Sequence, residues 1–401
     1  MTTTINNEHN KLNVPNSTDR GNVIRNVPHL RFPEFEGEWE DFLINDVCSE
    51  FKSGKNIKAD SISESGEYPV YGGNGLRGYT SSYNHEGLYV LIGRQGALCG
   101  NVRSVNGKTY ITEHAIAAAG NEKSNTSFLH YLFLKMNLGQ YSDQSAQPGL
   151  AVNKLLKLEV SLPPISEQKK IAKLLSLLDE RIATQNKIID KLQSLIKGLN
   201  DSLYAQYGSE VLTSFANLGN SYSGLSGKSA QDFGSGKPFI TYLNVYSNNV
   251  INEKDFQYVA IKDGEKQNVA EYGDVLFTLS SETPEEVGIG SVYLGKEKVY
   301  LNSFCFGIHI TNAEIVFPPY LSYYVSSTAF RKFIYPYAQG STRFNLCKAD
   351  FEKASIKLPT LENQKRIYSI LSRTDSKIET ERQMLDLYNS QKQYLLRQMF
   401  I

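Results

Sequence analysis

The side chains best placed to bind a ligand lie in two glycine-rich stretches in the first half of the sequence. The first reads Y-P-V-Y-G-G-N-G-L-R-G-Y over residues 68–79, the second reads I-G-R-Q-G-A-L-C-G-N-V over residues 92–102, and the triplet T-E-H follows at 112–114. Glycine allows a backbone to approach a ligand closely. Arg, Gln and Asn side chains held between glycines can form paired hydrogen bonds with guanine or adenine edges. Tight β-turns that simply carry surface arginines explain the same pattern equally well.

The candidate DNA-binding residues follow from this reading of the two stretches. In the first half they are Lys52, Lys55, Asn74, Arg77, Arg94, Gln95, Asn101 and His114. The lysines are assigned to phosphates, and Arg94 and Gln95 are assigned to bases. In the second half the candidates rest on turn-like surroundings alone, and they are Lys228, Asn244, Ser280, Ser281 and Arg343.

Several motifs that resemble enzyme signatures fail on one required residue. Gly227-Lys228-Ser229 looks like the end of a P-loop, but Tyr222 stands where the loop needs its first glycine. Phe317-Pro-Pro-Tyr resembles an amino-methyltransferase motif, but phenylalanine cannot hold a target amine. The histidines and cysteines are scattered without metal-ligand spacing. We therefore predict no catalytic and no metal-binding residue. An unrecognised active site around Thr112, Glu113 and His114 is a minor alternative.

Composition describes an ordinary globular chain. It has 401 residues, 40% of them hydrophobic and 21% charged, with a formal net charge of zero. The long helical segments are net basic and the globular segments net acidic, so local patches and partners must supply much of any attraction to phosphate. The sequence has no apolar run of membrane-spanning length and no secretory signal, so a cytoplasmic protein with free thiols is expected.

The chain contains an internal repeat that covers nearly half its length. L-P-P-I-S-E-Q-K-K-I at residues 162–171 returns as L-P-T-L-E-N-Q-K-R-I at 358–367, and Ala146-Gln147 matches Ala338-Gln339. Both halves run in the same order, from a β-rich segment through a short helix, a turn and a strand to a long helix. This duplication indicates a pseudo-two-fold arrangement.

Heptad patterns predict the two long helices. In the first, Leu175, Ile182, Ile189, Ile196 and Leu203 recur every seven residues, with polar Gln185 between the complementary positions. The second seam, from Leu371 to Met399, is weaker. Because helices this amphipathic need a partner, we expect them to form an antiparallel coiled coil. Two helices that merely finish separate domains are the alternative.

The predicted fold is α+β, with two small mixed α/β domains separated by the two long helices. The predicted boundaries are a flexible tail at 1–30, a first recognition domain at 31–160, a central spacer helix at 161–206, a second recognition domain at 207–357 and a distal spacer helix at 358–401.

These motifs together resemble the specificity subunits of type I restriction-modification enzymes. The resemblance rests on V-P-H-L-R-F-P-E-F at 27–35, both glycine-rich stretches, the T-E-H triplet and the doubled L-P-x-x-x-E/N-Q helix start, and it covers the whole chain beyond the tail. The second domain lacks the G-R-x-G run and reads Phe-Thr-Leu-Ser-Ser-Glu at 277–282. That departure forbids copying contact residues from one domain to the other.

The resemblance implies a non-catalytic subunit that recognises a bipartite DNA target. Each globular domain would read one half, and the helices would act as a ruler between the halves, since about 38 helical residues span roughly 57 Å. Its partners would be double-stranded DNA, two modification (methyltransferase) subunits and restriction subunits. S-adenosylmethionine, ATP and Mg²⁺ would then belong to the partner subunits. A pure assembly protein, whose domains bind protein or carbohydrate, is the competing hypothesis.

Overall fold

The computed structural model describes residues 26–96, 98–143 and 149–401, which form two compact units. Unit 1 comprises residues up to 182 together with 387–401, and unit 2 comprises residues 183–386. Most of the predicted tail and the Ala146-Gln147 turn lie outside the described residues. The tail prediction is too long at its end, because Asn26 donates to the Trp39 carbonyl (3.0 Å) and Leu30 donates to the Gln398 carbonyl (2.8 Å).

The described residues of unit 1 form ten short strands and three short helices, followed by the start of a long helix. The strands are β1 (Glu40–Leu43), β2 (Cys48–Ser53), β3 (Tyr68–Gly72), β4 (Gly75–Thr80), β5 (His85–Glu86), β6 (Tyr89–Gly93), β7 (Val102–Val105), β8 (Lys108–Ile111), β9 (Ala115–Gly120) and β10 (Glu159–Leu162). The helices are α1 (Ile44–Val47), α2 (Thr126–Met136), α3 (Val152–Leu155) and α4 (Ile165–Tyr207), with 3-10 turns at Ala59–Ser61 and Leu138–Tyr141.

The strands of unit 1 form two four-stranded sheets and one two-stranded ribbon. The sheet orders are β2-β9-β6-β7 and β4-β3-β8-β5, and β1 pairs with β10. Within the second sheet, β3 and β8 are parallel. Helix α2 covers the first sheet, where Phe128 and Phe133 are fully buried beside Ile92 and Ile116. The apolar core therefore lies between this sheet and α2, and it leaves the loops at the strand ends free.

Unit 2 contains counterparts of the strands and helices of unit 1, together with further short elements. Its strands are β11 (Val211–Thr213), β12 (Gly219–Ser223), β13 (Phe233–Ile240), β14 (Gln257–Val259), β15 (Val269–Ala270), β16 (Val275–Thr278), β17 (Ser280–Ser281), β18 (Gly290–Val292), β19 (Val299–Leu301), β20 (Cys305–Ile310), β21 (Ala338–Gln339), β22 (Phe344–Leu346) and β23 (Ile356–Leu358). Its helices are α5 (Phe215–Leu218), α6 (Tyr242–Ser247), α7 (Pro318–Tyr324), α8 (Thr328–Ile334), α9 (Lys348–Lys353) and α10 (Leu361–Gln398). Its 3-10 turns are Ala230–Asp232, Glu253–Asp255, Pro284–Glu286 and Tyr335–Tyr337.

The sheets of unit 2 have the same connectivity as those of unit 1. Their orders are β12-β20-β16-β18 and β14-β13-β19-β15, with a parallel pair between β13 and β19, and β11 pairs with β23. An additional ribbon has the order β17-β22-β21. The predicted α+β class and internal repeat are therefore confirmed at the level of strand order. Among the described residues, no helix is long and apolar enough to cross a membrane.

The long helices contact each other in both units. In unit 1, Lys392 on α10 pairs with Asp179 on α4 at 2.5 Å, and the Arg181 guanidinium on α4 lies over the Tyr388 ring on α10 at 5.7 Å. As the residue number rises on α4 in this unit, the number of the facing residue on α10 falls, which confirms the predicted antiparallel pairing. In unit 2, Gln185 on α4 donates to the Glu381 carbonyl on α10 at 3.0 Å. The polar residue within the first seam, Gln185, is buried because its amide finds this partner.

Each long helix carries a buried glutamine at the same position of its first turn. Gln168 donates to the carbonyls of Pro163 (2.8 Å) and Lys123 (2.9 Å), and its side-chain oxygen accepts from the Asn125 backbone. Gln364 repeats the pattern with the carbonyls of Pro359 (2.9 Å) and Ile315 (2.8 Å) and the Phe317 backbone. The glutamine of the repeated motif therefore fastens the helix start to the chain ahead of it.

The residue before the glutamine differs between the two copies of the motif, and in each copy it has a partner of matching chemistry. Buried Glu167 forms a two-bonded pair with Arg31, at 2.8 and 2.7 Å. Asn363 instead donates to both carboxylate oxygens of Glu210 at 3.0 Å. In unit 1 the carboxylate is on the helix, whereas in unit 2 it is on the partner segment. A hydrogen-bond donor at position 363 therefore matches a carboxylate partner, which a second glutamate there would not.

The helices begin slightly later than predicted, at Ile165 and Leu361. The residues before them form β10 and β23, which pair antiparallel with β1 and β11. Strand pairing therefore holds residues up to Leu162 and Leu358 in extended backbone, and the prolines that follow delay the start of each helix.

Candidate nucleic-acid interface

Three loops of unit 1 meet at one edge of its two sheets. A Cβ atom at Gly73 would lie 2.6 Å from the His114 carbonyl oxygen and 3.2 Å from Cα of Gly93. The Arg94 backbone also donates to the His114 carbonyl at 2.9 Å. The two glycine-rich stretches and the T-E-H triplet are thus in direct contact, and Gly73 is required because a side chain has no room there.

Gln95 and His114 present polar groups at this meeting point. Nδ1 of His114 and Oε1 of Gln95 are 3.0 Å apart, and Nε2 of His114 lies 3.3 Å from a Glu113 carboxylate oxygen. The His114 side chain is 46% exposed, and Gln95 is exposed. Since the Gln95 oxygen accepts from histidine, its amide nitrogen still has two N–H groups to donate. The preceding residue, half-buried Arg94, carries a guanidinium with five donors.

Asn74, Arg77 and Asn101 surround these residues in different ways. Asn74 is exposed on the β3–β4 turn and Arg77 is exposed on β4, where its Cδ would lie 2.9 Å from a Cβ at Gly72. Asn101 is half-buried, and its carbonyl accepts from the Gly93 backbone at 2.8 Å. Asn101 therefore braces the loop, whereas Asn74 and Arg77 are free to contact a ligand.

The two predicted phosphate lysines lie on the surface of β2 and the turn that follows it. Lys52 is largely exposed and pairs with Glu50 at 3.1 Å, and Lys55 is exposed. Burial alone would raise the pKa of Glu50, but its contacts with Lys52 and His85 hold that pKa below its ordinary value. A phosphate would have to compete with Glu50 for Lys52.

Arg103 is a further member of this edge that sequence reasoning missed. A Cβ atom at Gly75, whose φ is +111°, would lie 2.8 Å from the guanidinium carbon of Arg103. Nε of Arg103 is buried without a hydrogen-bond partner. Arg103 lies on β7 opposite Leu91, so the alternation of side chains along that strand is the signal that could have identified it.

Two predicted residues of unit 2 have structural roles instead. Lys228 is 6% exposed, pairs with Glu265 at 2.6 Å and donates to the Ala260 carbonyl at 2.6 Å. Asn244 is 2% exposed and exchanges hydrogen bonds with the Asn252 backbone, at 2.8 and 3.0 Å. The fold already uses the polar atoms of both side chains, which argues against the predicted DNA contacts.

Ser280 and Ser281 are also buried, in β17. The Ser281 hydroxyl donates to Glu286 at 2.9 Å, and hydrogen bonds from Tyr246 and then Ser281 hold the pKa of Glu286 below its ordinary value. The burial of both serines and the internal partner of the Ser281 hydroxyl argue against the predicted DNA contacts. Arg343, on the turn between β21 and β22, is exposed as expected for a contact residue.

Matching hydrogen bonds show which loop positions correspond in the two units. Arg94 donates to His114 as Leu279 donates to Phe304, both at 2.9 Å. The Leu150 backbone donates to the Arg94 carbonyl (2.9 Å) as Leu346 does to Leu279 (2.8 Å). Leu279 and Phe304 of unit 2 therefore occupy the positions of Arg94 and His114. Sequence comparison missed this because neither matched position has the same residue type in the two units.

Among the described residues, no group of three or more His, Cys, Asp or Glu side chains could hold a metal ion. The arrangement presents hydrogen-bond donors and apolar groups at loop tips supported by rigid sheets. Such an arrangement is suited to recognising the surface of a ligand.

Comparison with known proteins gives a consistent family. A family model for the type I restriction modification DNA specificity domain matches residues 36–194 and again 223–387. The specificity subunit of the type I restriction enzyme EcoprrI from Escherichia coli is 42% identical over 154 residues, which cover 37% of this chain and 38% of that relative. A Haemophilus influenzae protein provisionally named as a type I specificity subunit is 25% identical over 382 residues, covering 90% of this chain and 93% of the relative.

Solved structures show the same fold. The S subunit of a type I restriction-modification system from M. genitalium aligns with a TM-score of 0.61 at 15% identity, covering 94% of this chain and 99% of that one. A chain from a study of complex assembly and conformational transition in the type I R-M system aligns with a TM-score of 0.56 at 16% identity, covering 90% and 97%.

Proposed function

The chain belongs to the type I restriction-modification DNA specificity family, and from this premise we propose that unit 1 and unit 2 each read one half of a bipartite DNA target. As a specificity subunit it recognises DNA for a larger complex and is not itself an enzyme. The observation that carries the proposal is the equivalence of the two loop sets. The same backbone hydrogen bonds position Arg94 and His114 in one unit and Leu279 and Phe304 in the other. One scaffold with different side chains suits two different half-sites.

The side chains proposed to contact DNA bases differ in chemistry between the two units. In unit 1, Arg94, Gln95 and Asn74 supply donors and acceptors of the kind that identify guanine and adenine in the major groove. These assignments, with the phosphate contacts of Lys52 and Lys55, are proposals from the loop geometry. Since the globular segments are net acidic, phosphate attraction must come in part from other subunits.

The partners we propose are double-stranded DNA, two modification subunits and restriction subunits. The modification subunits would dock on the outer faces of the long helices. Exposed Ile188 and Leu195 lie seven residues apart on α4 in unit 2, and exposed Leu387 and Tyr394 lie seven apart on α10 in unit 1. A seven-residue spacing places each pair on one helix face, which another helix can cover. S-adenosylmethionine, ATP and Mg²⁺ would bind those partners, and the assembly would work in the cytoplasm.

Exchange of recognition units tests the proposal. Residues 31–160 would be replaced by the corresponding segment of a relative with a different target, and methylated adenines would be mapped in cells that express the complex. We expect one half-site to change and the other to stay. The matched exchange of residues 207–357 should change the opposite half. Methylation at unaltered sites by both chimeras would contradict the proposal.

The assembly-protein hypothesis keeps one supporting observation, the net acidic character of the globular segments. It predicts that neither exchange alters DNA binding and that the complex binds scrambled and cognate DNA equally. Competition binding with the complete complex separates the two hypotheses. A preference of the complex for its methylated sequence excludes a purely organising role.

A further inference from the structure

An aromatic side chain stands at the loop edge of unit 2. Phe304 is 58% exposed, between the ends of β19 and β20. Its backbone is held at both sides, because its N–H donates to the Asn302 side-chain oxygen at 2.9 Å and its carbonyl accepts from Leu279 at 2.9 Å. The next residue, Cys305, is fully buried. The ring is therefore presented to solvent by a fixed backbone.

A second apolar side chain lies on the segment that follows the neighbouring strand. The Asn302 backbone donates to the Ile240 carbonyl (3.0 Å) as Thr112 donates to Tyr71 (2.9 Å), so Ile240 corresponds to Tyr71. The segments that follow differ, because unit 1 turns at exposed Asn74 into β4, whereas unit 2 enters helix α6, on which Leu243 is 68% exposed.

Helix α6, which carries Leu243, is fixed against the same loop. The Tyr242 hydroxyl donates to the Ser280 carbonyl at 2.8 Å. The position of exposed His114 in unit 1 is thus phenylalanine in unit 2, and Leu243 lies on a second segment that is hydrogen-bonded to the same Leu279–Ser280 loop. A lone exposed apolar residue needs no explanation, but two on segments held to one loop of a recognition surface indicate a ligand with an apolar feature.

The apolar feature that the major groove offers is the 5-methyl group of thymine, the only alkyl group on an unmodified base edge. We propose that Phe304 contacts a thymine 5-methyl group in the half-site read by unit 2, with Leu243 beside it. This inference rests on the proposed function, since it assumes that the loop edge of unit 2 faces DNA. Unit 1 recognises its half by hydrogen bonds, whereas unit 2 recognises part of its half by apolar contact.

Replacing thymine by deoxyuridine tests this directly, because it removes only the methyl group. The complete complex would be measured for binding and adenine methylation on duplexes that carry one deoxyuridine at a time in the unit 2 half-site. We expect one position to weaken binding by about fourfold, the value for one buried methyl group. Phe304→Ala should weaken binding to normal DNA and lose the response to deoxyuridine at that position.

Control variants separate this contact from general effects. Tyr272→Ala removes an aromatic ring that is 60% exposed in the same unit but outside the loop edge, and it should keep the full response to deoxyuridine. Phe304→Leu keeps an apolar contact and should keep part of the response. Deoxyuridine in the unit 1 half-site should affect wild type and Phe304→Ala alike.

Three results would overturn the inference. The first is a response to deoxyuridine that persists in Phe304→Ala, and the second is wild-type indifference to deoxyuridine throughout the half-site. The third is loss of complex assembly in Phe304→Ala, which would assign the ring to a protein interface. A wild-type complex without any sequence preference would instead contradict the proposed function, before any variant is compared.

Discussion

At the scale of single residues, Arg94 offers a direct way to separate base reading from charge attraction. A guanidinium that forms two hydrogen bonds with guanine cannot be replaced by lysine, whereas a phosphate contact tolerates the exchange better. We expect Arg94→Lys and Arg94→Ala each to cost about 1–3 kcal/mol in binding the cognate site and to relax one position of it. Methylation rates on single-base variants of the target provide the measurement. Retention of specificity in Arg94→Lys would reassign Arg94 to the DNA backbone.

Lys228 is a second informative residue, because its ion pair with Glu265 stabilises the fold. Hydrogen bonds from Lys228 first, then from the Lys262 backbone and Gln267, lower the pKa of Glu265 from 4.5 to about 2. A carboxyl whose pKa is lower in the folded state contributes stability above its unfolded pKa and loses it as the pH falls. This contribution is therefore lost between about pH 4.5 and pH 2.

Lys228→Met should lower the free energy of unfolding at pH 7 and make it fall less steeply below pH 4.5. Chemical denaturation across this pH range is the measurement. Lys237→Met, which changes an exposed lysine nearby, should reproduce the wild-type slope. Because Lys228 is used inside unit 2, Lys228→Met should also leave target specificity unchanged. A change of specificity would restore Lys228 to the DNA interface.

The difference between Arg94 and Lys228 shows how far the sequence alone could predict the site. Closely spaced glycines around Arg94 and Asn74 required tight turns, and those turns do meet. Lys228 also follows a glycine, but its carboxylate partner Glu265 lies 37 residues away, which no local pattern reveals. Phe304 and Arg103 were missed because their importance comes from strand register, which short strands do not specify in sequence.

At the scale of elements, Gln168 and Gln364 show how the first turn of each long helix is fixed to the chain ahead of it. Each satisfies two buried carbonyls and one backbone N–H, and truncation leaves those groups without partners. We expect Gln168→Ala and Gln364→Ala each to lower the free energy of unfolding by about 1–3 kcal/mol. Gln140→Ala, which removes an exposed side-chain bond to the Met136 carbonyl, is the control and should cost much less.

Denaturation curves for the three variants test this element. Similar losses for Gln168→Ala and Gln364→Ala would support equivalent joints in the two units. A near-neutral effect at either position would show that water replaces the side chain there, and it would remove the physical reason for the repeated glutamine.

The elements were predicted unevenly, for physical reasons. Heptad repeats over several turns predicted the long helices and their antiparallel pairing, because few other structures can bury a continuous apolar seam. The sheets were recognised only as β-rich segments. Many of their strands have two to five residues, and parallel pairs such as β3 with β8 depend on contacts far apart in sequence.

At the scale of the whole molecule, the spacing between half-sites depends in our proposal on helix length. Insertion of one heptad into α4 and one into the facing turn of α10 adds about 10.5 Å of helix. That corresponds to about three base pairs at 3.4 Å each. Methylation mapping should then find the same half-sites separated by about three more base pairs.

Insertion of one heptad into α4 alone is the control. It shifts the apolar seam of α4 along that of α10 and should impair folding or assembly. An unchanged spacer in the doubly extended protein would show that the ruler role is wrong. This role stays a prediction from the sequence until that measurement is made.

The core of unit 1 includes Leu395, Leu396, Met399 and Phe400, and the Phe400 ring stacks on Phe128 at 5.1 Å. During translation these side chains emerge only after all of unit 2 has been synthesised. Until then, the part of unit 1 that is made first lacks the Phe400 ring that contacts Trp39 and Phe128, whereas unit 2 already has its complete core. Chaperone dependence during synthesis should consequently be greater for the half of the protein that is made first.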